Sequence, residues 1–200
     1  MTISYATDSE KFLLSVRSTD LHVSPEQFDR LCFDNPELRL ELTANGELII
    51  MAPTFGESGE KNLNLGSQVY AWNYRTELGK TFDSSTGYDF ISIGGGKMSP
   101  DVSWIEKSRI DGISLKQFIP VVPDFVIELR STTDRLSALQ TKMLEYQRLG
   151  VKLGLLINPQ DLQVEVYLLD KETEVLQNPT SFSCEMVLPG FNLDLTRIMI

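Results

Sequence analysis

Apolar and polar positions in the first quarter of the chain follow two different periods, which predict a helix and then a β-hairpin. Ser24 is typical of a helix N-cap, because Pro25 can occupy the first helical position and Gln27 can complete a capping box. Alternating apolar residues then flank Asn45-Gly46, the dipeptide that most strongly indicates a tight turn between antiparallel strands. The strands of this hairpin are predicted at Leu38–Thr43 and Glu47–Met51.

Further along, the pattern predicts a loop at Pro53–Gly59 and a long helix, Glu60–Leu78, which Gly79 closes. The tail, Met186–Ile200, is predicted to add one more strand or irregular packing. The other predicted elements are strands at Thr81–Ser84, Tyr88–Ile93, Met98–Ile105, Pro123–Leu129, Val151–Asn158 and Gln163–Leu169, and a helix at Arg135–Leu149.

The order of these elements predicts an α/β (α+β) fold, in which helices flank a mixed central sheet. Val151–Asn158 is continuously apolar, as expected of a strand that is buried on both faces. Together with the strand and helix before it, this run predicts a right-handed parallel crossover. The length of 200 residues suits one domain, so we expect a single domain over residues 1–200.

Composition narrows the class of protein. Hydrophobic residues make up 42% of the chain, and no apolar run approaches the ~20 residues that span a membrane. The first ten residues have neither a basic start nor an apolar core, so we expect no signal peptide and a cytoplasmic protein. Cys32 and Cys184 suit a reducing compartment and are too few for a structural zinc site. His22 is the only histidine, which excludes histidine triads and multi-histidine metal sites.

The net charge of −10 argues against tight binding to long stretches of duplex nucleic acid. Such affinity comes from lysine and arginine side chains that neutralise phosphates. This chain has 18 of these residues against 28 acidic ones. Local basic patches and bound metal cations can still offset part of the acidic charge.

Glu128 is a candidate for chemistry, because it lies in a predicted strand whose other residues are those of a protein core. Strand alternation places it on one face with Val126, while the apolar residues beside them take the other face. An ionised carboxylate in such a place is costly unless it is paired or binds a metal. Two interpretations stay open: a metal ligand, or a salt bridge at the strand end with Arg130.

Asp101 and Lys142 are the other two candidates. Asp101 follows Pro100, and it is either an ordinary polar residue that opens a strand or a second functional carboxylate. Projection of the predicted helix at ~100° per residue places Lys142 inside the apolar arc. Lysine is rarely buried unpaired, so its ammonium either reaches water or meets an acid near the sheet, with Glu128 as the natural partner. A buried ion pair of these two alone would give little net stability.

These residues spell Pro-Asp, then Glu-x-Arg, then a lysine on a helix, which resembles the PD-(D/E)xK pattern of nucleases. More closely, the chain resembles the bacterial family of putative restriction endonucleases, long catalogued as a domain of unknown function. The resemblance covers about residues 38–195, and the ordered string of motifs is far more specific than the acidic residues alone. The runs that carry it are Gly46–Thr54, Ser99–Trp104, Val122–Ser131, Leu139–Val151 and Leu188–Phe191.

The resemblance implies a restriction-endonuclease-like fold and a metal-dependent endonuclease that hydrolyses phosphodiester bonds of nucleic acid, with DNA as the expected substrate. Asp101 and Glu128 would hold Mg²⁺ or Mn²⁺, which are hard cations that prefer oxygen ligands. Lys142 would replace the motif lysine and orient the attacking water or stabilise the transition state. Arg130 stands where the motif lysine usually lies, and it can bind phosphate but cannot act as a base.

Two further residues have an implied place near this site. Glu41, in the first hairpin, is either an outer acidic ligand, as an acid recurs there in the family, or an exposed strand residue. Tyr146 lies one helical turn after Lys142 and is expected in the core, with its hydroxyl near the site.

Departures from the family pattern leave a second function open. Ser58 stands where the family often has a histidine, the loop Ser131–Asp134 lacks a common proline, and Thr43-Ala44 precede the hairpin turn. None of these removes a carboxylate or the lysine. The alternative is a catalytically inactive nuclease-fold module that binds nucleic acid or a protein partner, which the acidic charge favours. By analogy with nucleases that pair to meet two strands, we also expect a homodimer.

Overall fold

The computed structural model describes residues 21–200, and within that range four α-helices flank strands that form three sheets. A 3₁₀ turn, Ile91–Ile93, follows the fourth strand. The elements in chain order are α1 (Pro25–Asp34), β1 (Arg39–Leu42), β2 (Leu48–Met51), α2 (Gly56–Thr76), β3 (Gly79–Asp83), β4 (Tyr88–Asp89), β5 (Lys97–Met98), β6 (Val102–Glu106), α3 (Lys107–Ile110), β7 (Phe125–Leu129), α4 (Leu136–Leu149), β8 (Leu153–Asn158), β9 (Gln163–Leu168), β10 (Glu174–Gln177), β11 (Ser181–Ser183) and β12 (Asn192–Asp194).

The central sheet has six strands in the order β10-β9-β8-β7-β6-β3. Strands β7 and β8 are parallel and are joined through α4, as the sequence predicts, while the other neighbours in this sheet are antiparallel. The predicted mixed sheet flanked by helices is therefore confirmed.

Helices α2 and α4 cover opposite faces of this sheet, as the alternation along β7 requires. Phe125 and Ile127 belong to the same buried cluster as Leu65 and Val69 of α2. Val126 packs instead in the cluster that includes Met143 of α4. Because Glu128 is two residues after Val126, its side chain lies on the α4 side of the sheet.

A smaller sheet, with the order β2-β1-β5-β4, carries the predicted hairpin. Helix α1 covers one face of it, where Phe28 packs with Leu40 and Leu42. This helix begins with the predicted capping box. The backbone N–H of Gln27 donates to Ser24 Oγ at 3.2 Å, and the backbone N–H of Ser24 donates to Gln27 Oε1 at 2.7 Å.

Helix α2 differs from its prediction at both ends. It begins at Gly56, so most of the predicted loop Pro53–Gly59 is helical, and it ends at Thr76. Glu77, with φ 53°, adopts the left-handed conformation that the sequence suggests for Gly79. Gly79 instead is the first residue of β3. This position requires glycine, because a Cβ there would lie 2.1 Å from the carbonyl oxygen of Ile105.

The single strand predicted at Met98–Ile105 is wrong. Strand β5 belongs to the small sheet and β6 to the central sheet, and the segment between them contains Pro100 and Asp101. The chain crosses here from one sheet to the other, which a run of mostly apolar residues does not reveal. Similarly, the strand predicted at Tyr88–Ile93 ends at Asp89 and continues as the 3₁₀ turn.

The sequence does not predict α3, β10 or β11, and it leaves the tail, Met186–Ile200, open between a strand and irregular packing. In the structure β11 and β12 pair as a two-stranded ribbon. Across residues 21–200, no helix has the length and hydropathy that a membrane span requires. Cys32 and Cys184 are both free thiols.

Candidate active site

The candidate residues meet where the small sheet faces the central sheet. Glu41 comes from β1, Asp101 from the segment between β5 and β6, Glu128 from near the end of β7, and Lys142 from α4. The separation of these positions along the chain shows why the pattern is weak as a sequence signal. The fold brings all four side chains to one place.

Lys142 is the centre of the arrangement. Its Nζ lies 2.9 Å from Glu128 Oε1, 2.9 Å from Glu41 Oε1 and 3.0 Å from the carbonyl oxygen of Ser99. The ammonium has three N–H groups, so these acceptors can use all of them. The interpretation in which the lysine reaches water is therefore wrong, and the expected pairing with Glu128 is present.

Glu41 is 4% exposed, so the interpretation of an exposed strand residue is also wrong. Its Oε1 accepts both from Lys142 and, at 2.7 Å, from the backbone amide of Ser99. Glu41 and Lys142 together hold the chain just before Asp101, which fixes the position of the crossing between the two sheets.

Asp101 is held by hydrogen bonds from two different elements. Its Oδ2 accepts from the backbone amide of Leu129 at 2.8 Å, and its Oδ1 accepts from Asn62 Nδ2 at 3.0 Å. The bond to Leu129, the residue after Glu128, places the two acids beside each other. Burial nevertheless raises the pKa of Asp101 above its usual value, because its hydrogen bonds and Lys142 offset the loss of solvent only in part.

The pKa of Glu128 is raised to about 8, chiefly by burial and also by the charges of Asp101 and Glu41, while Lys142 opposes the rise. The pKa of Lys142 is above its usual value, because the two glutamates outweigh the effect of burial, which disfavours the charged ammonium. Lys142 thus contacts two of the three acids, and when all three carboxyl groups are ionised they leave an excess of negative charge at this place.

Tyr146 is 1% exposed, and its hydroxyl donates to Glu128 Oε1 at 3.2 Å. Burial keeps the pKa of this phenol well above its usual value, so the group stays a hydrogen-bond donor at neutral pH. Tyr146 therefore lies in the core with its hydroxyl at the site, as expected from the sequence.

Arg130 does not join this group. Its Nη1 lies 2.9 Å from Asp161 Oδ2 and 3.2 Å from Asn158 Oδ1. The alternative in which Arg130 is the salt-bridge partner of Glu128 is therefore wrong.

The four residues border an open cleft of about 730 Å³. The β1–β2 hairpin forms one wall, α4 forms the opposite wall, and Ser58 and Asn62 of α2 contribute a third side. The cleft is more acidic than basic. Its charged lining residues are Glu41, Asp101, Glu128, Asp134, Glu145, Arg39, Lys142 and Arg148.

Hard oxygen donors are what Mg²⁺ and Mn²⁺ prefer, and the excess negative charge favours a divalent cation. Within residues 21–200, however, no three histidine, cysteine, aspartate or glutamate side chains are arranged to hold a metal ion by themselves. Asp101 and Glu128 are the residues that could hold such an ion, and water would have to complete its coordination, as Mg²⁺ usually keeps several of its waters.

Two residues that contact the candidate site, Asn62 and Ser99, are not predicted from the sequence. Ser99 acts only through its backbone, so no side-chain pattern could reveal it. Asn62 lies one helical turn after Ser58, beside the buried stripe of α2, and this spacing of small polar residues is a signal. The predicted helix began too late for that signal to stand out.

The sequence profile of the Uma2 family, described as putative restriction endonuclease, matches residues 25–196. The chain therefore belongs to this family. Among solved structures, it is similar to a putative nuclease belonging to DUF820 from Anabaena variabilis, with a TM-score of 0.70 and 21% sequence identity. That match covers 80% of this chain and 89% of the other, and it confirms the fold. No curated protein gives a significant match.

Proposed function

We propose that this protein is a metal-dependent endonuclease that hydrolyses phosphodiester bonds of nucleic acid, with DNA as the expected substrate. The observation that carries the proposal is the cluster of Glu41, Asp101, Glu128 and Lys142 beside an open cleft. The cluster gathers three acidic side chains near one ammonium, and two of them, Glu41 and Glu128, are buried and contact it. Such an arrangement costs stability, so a function is needed to explain it.

In this proposal Asp101 and Glu128 hold Mg²⁺ or Mn²⁺ through their carboxylate oxygens. The bound metal would neutralise charge on the phosphate and lower the pKa of the water that attacks phosphorus in line. Tyr146 keeps Glu128 in position through its hydroxyl. Glu41 is an outer acid that orients Lys142.

Lys142 can serve the reaction only if it exchanges one of its three acceptors. The Ser99 carbonyl is its one partner that is not an acidic side chain, so a phosphate oxygen can replace it most easily. The ammonium would then stabilise negative charge on the phosphate while Glu41 keeps it in place. Arg130 has no part in this mechanism, because it does not line the cleft and its Nη1 is bonded to Asp161 and Asn158.

The test is calorimetric titration with Mn²⁺ of the wild type, Asp101→Asn and Glu128→Gln, followed by cleavage assays on single- and double-stranded DNA and RNA. The matched control is Glu165→Gln, since Glu165 is also buried on the central sheet but is bonded to Gln140 and Tyr167. We expect saturable binding and cleavage by the wild type and the control, and loss of both in the two site variants.

The second function, an inactive nuclease-fold module that binds nucleic acid or a protein, is favoured by one observation: the acceptors around Lys142 use all its N–H groups. If the wild type bound no Mn²⁺, even with nucleic acid present, this second function would replace the first.

We further propose a homodimer, by analogy with nucleases that pair to meet the two strands of duplex DNA. Light scattering in solution tests it, and a monomer at all concentrations would contradict it.

A further inference from the structure

Asn62 connects helix α2 to the acid pair. Its Nδ2 donates to Asp101 Oδ1 at 3.0 Å, while the backbone amide of Leu129 donates to Asp101 Oδ2 at 2.8 Å. One oxygen of the carboxylate is thus held by a helix and the other by the central sheet. The plane of the Asp101 carboxylate is thereby set from both sides.

The oxygen of the Asn62 side-chain amide has no hydrogen-bond partner within residues 21–200. This oxygen, Oδ1, is buried. Reversing the amide would place this oxygen against Asp101 Oδ1, so the acid dictates the orientation. A buried acceptor without a donor costs about 1–3 kcal/mol, and such a group calls for an explanation.

Two donor groups of the site are already used by other acceptors. The Leu129 amide bonds to Asp101, and the acceptors around Lys142 use its three N–H groups. Asn62 also lines the cleft, so a donor that enters the cleft can reach this part of the site. Water beside a metal ion is a strong donor and matches this acceptor.

We propose that Asn62 is a positioning residue for the metal site. Its Nδ2 fixes the carboxylate of Asp101, and its Oδ1 accepts a hydrogen bond from water that is held beside that carboxylate. The inference rests on the proposed function, since it assumes that Asp101 is a ligand. Groups that orient a ligand in this way commonly change metal affinity by about 10- to 100-fold when they are removed.

The experiment measures the Kd for Mn²⁺ by calorimetry in three variants of Asn62. Asn62→Leu replaces the amide by an apolar group of similar shape and somewhat larger volume, Asn62→Ala removes the group, and Asn62→Ser supplies a hydroxyl that can donate and accept. The matched control is Asn64→Ala, because Asn64 lies on the same helix and bonds to Gln68 at 2.7 Å. Circular dichroism of each variant checks that it is folded.

We expect Kd to rise by about 10-fold or more in Asn62→Leu and Asn62→Ala, less in Asn62→Ser, and not at all in the control. Partial rescue by serine distinguishes positioning from packing, since serine fills the space worse than leucine. If one variant does not fold, the other two still give the comparison.

Three outcomes would overturn the inference. Wild-type affinity in the Asn62 variants would overturn it alone and leave the proposed function intact. An equal loss in Asn64→Ala would show a general effect of α2. No Mn²⁺ binding by the wild type would overturn both the inference and the proposed function.

Discussion

The carboxyl group of Glu128 is buried beside two other acids, and its pKa of about 8 lies well above the usual value of 4.5. The folded protein therefore binds a proton at this position more tightly than the unfolded chain does. This contribution to stability is fully present below the unfolded pKa and is lost as the pH rises through about 8. The metal-free protein should lose stability over that range.

The first prediction compares thermal unfolding of the wild type and Glu128→Gln from pH 5 to pH 9 in the presence of EDTA. Glutamine resembles the protonated acid, so the variant should gain stability relative to the wild type as the pH rises. A relative gain of about 2 kcal/mol corresponds to about 4–8 °C in a protein of this size. The loss of the ion pair with Lys142 adds an offset, but the trend with pH is the readout. Parallel curves for the two proteins would contradict the prediction.

At the scale of elements, the crossing from β5 to β6 decides where Asp101 lies. This crossing depends on a close approach just before β5, because a Cβ on Gly96 would lie 1.9 Å from the carbonyl oxygen of Leu42. Leu42 is the residue after Glu41. Gly96 therefore allows β5 to pack against β1 beside Glu41, the acid that accepts a hydrogen bond from the Ser99 amide.

We predict that Gly96→Ala lowers the free energy of unfolding by about 1–3 kcal/mol, because backbone must move to admit the methyl group. It should also weaken Mn²⁺ binding, since the segment that carries Asp101 moves with β5. Urea denaturation and calorimetry measure the two effects. Gly56→Ala is the control, as a Cβ there has nothing within 4 Å, and it should stay within about 0.5 kcal/mol of the wild type.

The elements show which parts of the fold were accessible from sequence. Local signals sufficed for α1, the first hairpin and the β7–α4–β8 unit, because caps, turn residues and buried runs act over a few positions. The β5–β6 crossing was missed, since it depends on pairing with strands far along the chain. For the site, the helical projection of Lys142 leaves two interpretations, access to water or an acid partner, and only the folded structure decides for the acids. The burial of Glu41 and the contact from Asn62 arise only when the sheets meet.

The whole molecule carries a net charge of −10, and its cleft is acidic as well. Arg148 is paired with Glu145, and Lys142 is paired with two glutamates. In the described part of the chain, Arg39 is the cation lining the cleft that has no ion pair; its Nη2 bonds to Ser84 Oγ at 3.1 Å. Few phosphates can therefore be neutralised in the cleft.

We predict weakly salt-dependent binding of DNA, with a slope of log K against log salt concentration no steeper than about −2. Arg39→Ala should flatten this slope by about 1, whereas Arg30→Ala, on α1 and away from the cleft, should leave it unchanged. Fluorescence anisotropy of a labelled oligonucleotide across a salt series gives both slopes. A slope of about −6 or steeper would mean that cations outside the cleft carry the binding.

One consequence follows from the way in which Lys142 joins the two sheets through Glu41 and Glu128. Any cation that draws Glu128 away from the ammonium also loosens the tie to the hairpin. By thermodynamic reciprocity, whatever holds the hairpin in place must then change the affinity for that cation by the same factor. Binding of a cation at Asp101 and Glu128 would then be coupled to movement of the β1–β2 hairpin away from the central sheet. Amide hydrogen exchange in β1 would report this coupling.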